Sequence, residues 1–180
     1  KIMDKENLGR HYLENVRSEF RKLKSLGDNT FKQIKDEEFF LSPDEESNSI
    51  AIIVRHMSGN MLSRWTDFLT TDGEKEFRKR DEEFDKLFYT DKDDIILRWE
   101  NGWECFFKTL DSLTEDDLLK YIKIRNESHT VTEALNRQLT HYAYHIGQIV
   151  YLAKHILNKN WNSLSIPKGK SDEFNKKMGM

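Results

Sequence analysis

Leu139-Thr140-His141-Tyr142-Ala143-Tyr144-His145-Ile146-Gly147-Gln148-Ile149-Val150 contains no proline and reads as the middle of a helix. Its two histidines stand four residues apart. On a helix that spacing leaves them about 40° apart around the axis and about 6 Å apart along it. Two imidazoles so placed can grip one metal ion from a rigid backbone, and a divalent ion usually takes at least one more protein ligand. The third candidate is His56, far upstream in Ile53-Val54-Arg55-His56-Met57-Ser58-Gly59-Asn60. If the two segments pack side by side, three histidines converge and one coordination position stays open, which marks a reactive site rather than a structural one.

The periodicity around these segments is helical throughout. The helix carrying His141 and His145 runs from about Thr130 to Leu157, with Ala134, Leu135, Gln138, Tyr142, Ile149 and Leu152 on the same stripe. A first helix spans Asn7 to Leu26 through Leu8, Tyr12, Val16, Phe20 and Leu23, and Gly27 with Asp28-Asn29 ends it. A second begins at Asn48 or Ser49, both good caps, and runs to about Leu69; Gly59 inside it marks close helix packing. A third starts after Thr90 or Asp91 and carries Ile95, Trp99, Trp103, Phe106 and Leu110. The charged connection 74–90 is anchored by Phe77, Phe84, Leu87 and Phe88. Leu119 to Arg125 alternates apolar and basic residues and reads as a short extended segment, which needs a partner strand. In the tail, Pro167 and Gly169 fix a turn, and Ser171 caps a short helix through Phe174. The expected architecture is all-α: a four-helix bundle with long connections and one short extended segment, in a single domain over residues 1–180.

Composition narrows the function classes. A net charge of −3 with interleaved signs gives no electrostatic basis for nucleic-acid binding. The run Arg78-Lys79-Arg80-Asp81-Glu82-Glu83 reads as a solvated helical surface. Cys105 is the single cysteine, so an internal disulfide is excluded; its aromatic neighbours make it a small core residue. No apolar run is long enough to span a bilayer and no amino-terminal segment signals export, so the expectation is a soluble cytoplasmic protein.

Buried imidazoles need partners on both nitrogens, and a metal on one with a hydrogen bond on the other satisfies both. Asn60, Gln138 and Gln148 are the candidates for those hydrogen bonds. Arg137, one turn before His141, is a candidate for a substrate carboxylate or phosphate, or for an interhelical salt bridge. His155 lies roughly 15 Å from His145 along the axis and cannot share its ion. His129 belongs to a turn or cap, and His11 has no companions. Tyr142 and Tyr144 pack or face an interface rather than act as acids, and Trp65, Trp99 and Trp103 belong to the core or an interface. No His-Glu-x-x-His, paired Glu-x-x-His, Gly-x-x-x-x-Gly-Lys or Gly-x-Ser-x-Gly motif is present.

His56 on the second helix with His141-x-x-x-His145 on the fourth resembles the DinB-like superfamily, and so do Glu45-Glu46-Ser47-Asn48-Ser49-Ile50-Ala51 and His145-Ile146-Gly147-Gln148-Ile149. The resemblance covers nearly the whole chain. The tail Ser165-Ile166-Pro167-Lys168-Gly169-Lys170-Ser171 resembles an uncharacterised branch. The resemblance implies a four-helix bundle with a three-histidine metal site. Some similar proteins transfer a low-molecular-weight thiol such as bacillithiol or mycothiol to an electrophile, and others are thiol-dependent isomerases. Pairing into a homodimer is also expected.

Three neutral imidazoles suit zinc, with nickel or iron as alternatives. Such an ion lowers the pKa of a bound thiol, and it can equally activate water. The expectation is therefore a metal-dependent thiol transferase with a small thiol and an electrophile as partners. A hydrolase at the same site and a noncatalytic metal-binding module are the alternatives.

Overall fold

The computed structural model describes residues 8–86 and 90–179, and the chain there is mostly helical. Four long helices are α1 (Leu8–Phe31), α2 (Ile50–Trp65), α3 (Lys92–Ser112) and α4 (Val131–Leu157); a short α5 (Ser171–Lys177) follows. Single 3-10 turns occupy Glu37–Phe40, Asp81–Phe84, Glu115–Asp117 and Asn158–Asn160. No described helix is long and apolar enough to cross a membrane.

Local chemistry sets the helix starts. The Ser49 side chain accepts from Ile52 N–H, and Asp91 accepts from Asp94 N–H. Thr130 caps α4 with Glu133 reaching back to it, a reciprocal box that satisfies two otherwise orphaned donors. The end of α1 differs from expectation. Gly27 does not stop the helix, which continues to Phe31. Gly27 is buried against Trp99, and a Cβ there would meet the indole Cζ2 at 2.5 Å. The indole N–H then donates to Asp28 at 2.7 Å. The glycine marks a close approach rather than a terminus. Ser171 likewise begins α5 as its first residue, with Lys170 in the cap position.

α2 packs along α3 and also contacts α4, while α1 lies along α4 and touches α3. Phe20, Trp65, Trp103, Phe106 and Tyr142 meet edge to face between these helices; Phe20 and Phe106 have centroids 4.5 Å apart, and Trp65 and Phe106 4.7 Å. Such pairs add about 0.5–1.5 kcal/mol each beyond the area they bury. α2 is buried on nearly every side. Its polar residues His56, Asn60 and Arg64 are therefore carried into the interior with it.

The extended segment is the first strand of a hairpin, β1 (Tyr121–Ile124) paired antiparallel with β2 (Glu127–Thr130). His129 therefore sits on a strand, one residue before the α4 cap. The connecting residues Arg125 and Asn126 both have positive φ, 55° and 64°, the pattern of a tight two-residue hairpin turn. Asp72 holds this turn by accepting the backbone N–H of Arg125 at 2.9 Å and of Asn126 at 2.8 Å.

In the charged run after α2, Lys79, Arg80, Asp81 and Glu82 are exposed as their charges suggested, but the two ends of the run are not. The Arg78 side chain is only 3 % exposed and Glu83 is buried with it. Phe77, expected as an anchor, is 62 % exposed, whereas Phe84 packs on the His56 ring. The other two expected anchors, Leu87 and Phe88, fall outside the described residues. Ion pairing replaces aromatic burial as the anchor of this segment.

Candidate metal centre

His56 projects from α2, and His141 and His145 project from one face of α4. His145 Nε2 lies 3.0 Å from His141 Nε2, and His56 Nε2 lies 3.4 Å from the same atom. One nitrogen from each ring falls within 4.8 Å of the others. His56 is 7 % exposed, and the α4 histidines are half-buried.

Each ring's other nitrogen is engaged. His56 Nδ1 donates to Glu83 at 2.9 Å, and His145 Nδ1 donates to Gln148 Oε1 at 2.8 Å. Those bonds leave lone pairs on both Nε2 atoms, facing the centre. The Gln138 amide nitrogen approaches His141 Nδ1 at 2.9 Å and also donates to Asn60 Oδ1 at 3.1 Å. In this arrangement His141 Nδ1 accepts, so its proton sits on Nε2 and is shared with the neighbouring rings. Ligation through that Nε2 needs the proton on Nδ1, and a half-turn of the Gln138 amide, with the Asn60 amide turned to donate to it, supplies the matching acceptor.

The electrostatics keep the α4 imidazoles neutral. Burial, followed by the charges of His145, His56, Arg64 and Arg78, pushes His141 down to about 3. Burial, opposed by the Gln148 hydrogen bond and reinforced by His56, pushes His145 down to about 4. A neutral imidazole is the form that ligates a metal. Three convergent imidazole nitrogens with their outer nitrogens tied down fit a divalent ion in chemistry and in spacing.

Glu83 is the support that sequence reasoning missed. Its carboxylate accepts from His56 and, in fork geometry, from Arg78 Nε at 2.8 Å and Nη2 at 2.9 Å. Burial raises its pKa, but the hydrogen bonds from His56 and Arg78 outweigh that and hold the carboxyl below its usual range. The carboxylate occupies the space over Gly59, where a Cβ would collide with Oε1. Close helix packing was expected at Gly59, but what lies against it is the Glu83 carboxylate of the 3-10 turn; the tight helix approach in this region is made by Gly102 of α3 against Ser58.

The remaining candidates sit as follows. Asn60 is buried and bridges Gln138 and the Tyr142 hydroxyl rather than a histidine. Tyr142 is buried, takes the Trp65 indole N–H, and burial raises its pKa far from any acid role. Arg137 is exposed and lines a cavity of about 330 Å³ that opens beside His56 and His141. Four more arginines line it: Arg64, Arg78, Arg80 and Arg125. A larger cleft of about 460 Å³ on the other side of Glu83 has no histidine in its wall. Arg64 had a legible signal, since His56, Asn60 and Arg64 repeat every four residues on one helix stripe. Glu83 had none beyond Gly59.

No curated protein matches this chain. The sequence pattern of the family described as protein of unknown function (DUF1572) matches residues 7–170, and the chain belongs to that family.

Proposed function

We propose that this chain is a DinB-like four-helix-bundle domain that holds one divalent metal on His56, His141 and His145 and transfers a low-molecular-weight thiol to an electrophile. Zinc is the preferred ion, ahead of nickel and iron, because the donor set is three neutral nitrogens. The observation that carries this reading is the convergence of three Nε2 atoms while every Nδ1 is occupied by a side chain. A divalent ion at this place supplies Lewis acidity, which makes a thiol nucleophilic near neutral pH.

The protein's own residues have separable tasks. Glu83 and Gln148 fix ring orientation and the proton positions on His56 and His145. Gln138, paired with Asn60, orients the His141 ring, and turning its amide over puts the His141 proton on Nδ1. The cavity beside His56 and His141 gives the reactants a place to meet, with Arg137 at its rim. In the transfer, the thiol sulfur forms the new bond to the electrophilic carbon, the leaving group departs with its electron pair, and the thiol proton passes to solvent.

The test begins with the metal content of untagged protein beside His56→Ala and His141→Ala. About one ion per chain in the parent, lost in both variants, supports the site. The parent is then given an electrophile with and without bacillithiol or mycothiol. Depletion that needs both thiol and metal supports transfer. Depletion without thiol indicates a hydrolase, and saturable metal binding with no turnover indicates a binding module. A homodimer belongs to the same reading, and a light-scattering mass of one chain removes it.

A further inference from the structure

Arg64 is the most exceptional charge in the molecule. It is 6 % exposed, its Nε is shielded from solvent without a hydrogen-bond partner, and no acid pairs with its guanidinium among the described residues. An isolated buried charge is costly, and in folded proteins it is normally paired. Here the chain makes room for it. Gly73 lies against its stem, where a Cβ would come to 2.7 Å from Cδ and 3.2 Å from Nε. The nearby charges do not compensate it: burial first, then Arg137, lower its pKa, with Glu74 only partly opposing them.

The rest of the cavity wall is close to neutral. Arg78 is matched by Glu83, Arg125 by Glu74 at 3.0 Å, and Arg80 faces Asp81 at 3.7 Å. His141 is held neutral by its surroundings. Arg64 and Arg137 are the two cations left over, and no ion pair or hydrogen bond of either guanidinium occurs among the described residues. Both lie toward the same end of the cavity. Arg64 is two helical turns, about 12 Å, past His56 on α2, and Arg137 is one turn, about 6 Å, before His141 on α4.

We propose that this cavity binds a small molecule carrying two negative charges, with its acid groups on Arg64 and Arg137 and its reactive end directed toward the three histidines. The inference rests on the proposed function for the identity of that reactive end, and it assigns the charge class of the thiol or of the electrophile. Guanidinium forks match both carboxylate and phosphate, so a dicarboxylate and a phosphate share the chemistry. An anchor remote from the reacting atoms fixes the ligand's position, which is how binding energy is turned into rate.

The test is calorimetric titration of the full-length protein as purified, with succinate, inorganic phosphate and acetate as probes. It is run on the parent, Arg64→Met and the exposed-site variant Arg137→Gln, with metal content measured on each. The expected result is saturable binding of succinate or phosphate, at least tenfold tighter than acetate, weakened tenfold or more in both variants with metal content unchanged. Which dianion binds separates a dicarboxylate ligand from a phosphate ligand. The ligand-free Arg64→Met protein is also expected to melt no lower than the parent, since it loses an unpaired buried charge; a residue kept for structure alone would lower it. Absence of dianion binding in a metal-containing parent, or undiminished binding in both variants, overturns the inference and leaves the metal reading standing. Dianion binding by a parent that holds no metal sinks the metal reading and leaves the anion site standing.

Discussion

The two halves of the histidine cluster are supported in opposite ways. On α4 the supports are neutral amides from the same helix, Gln138 three residues before His141 and Gln148 three residues after His145. On α2 the support is an anion from outside the helix, Glu83, 27 residues beyond His56 and itself clamped by Arg78. The first half is built once α4 forms. The second exists only when the segment after α2 folds back over Gly59. A carboxylate also raises the basicity of its imidazole more than an amide does, so the buried, charged support is the stronger and the more fragile of the two.

The largest effect that bears on this contrast is loss of a ligand. His145→Ala is expected to leave substoichiometric metal after dialysis, measured by elemental analysis, while the helical circular dichroism is unchanged. Next is Glu83→Gln, expected to weaken metal affinity about 10–100-fold in chelator competition. Equal losses for Glu83→Gln and Gln148→Leu would erase the distinction between the two supports.

Acidification separates the halves differently. His141 and His145 are depressed to about 3 and about 4, so between those values and the ordinary value of 6.5 the unfolded chain binds more protons than the folded one. Metal-free protein should therefore be insensitive to this pair above pH 6.5 and lose stability as pH falls from 6.5 toward 4. Urea unfolding at pH 7 and pH 5 measures this, and His141→Phe should flatten the difference. Gly59→Ala should cost about 1–3 kcal/mol by pushing on the Glu83 carboxylate, and it should lower metal affinity in the same direction as Glu83→Gln. The smallest effect is expected from Gln148→Leu, a few-fold in metal affinity, because water can replace a half-buried amide.

This contrast also explains what the sequence disclosed. The starts of α2, α3 and α4 were legible because Ser49, Asp91 and Thr130 act on backbone N–H groups three residues away. His141, His145, Gln138 and Gln148 share one helix, so periodicity alone places them together. The end of α1 was misread because Gly27 answers to Trp99, 72 positions away, and not to its neighbours. The second strand was missed because Glu127–Thr130 carries no alternation of its own and is defined by pairing with Tyr121–Ile124. Glu83 and Arg78 were hidden in a run of mixed charge, where burial depends wholly on a distant surface.

The separation of 85 positions between His56 and His141 has a mechanical meaning. A single ion shared by those rings would be a removable staple across nearly half the chain, holding closed a long loop whose closure entropy folding must otherwise overcome unaided. Its contribution would appear in the rate of coming apart: stripped by a chelator, the protein should unfold faster while refolding at the same pace, because α2 and α4 must already be docked before the staple can close.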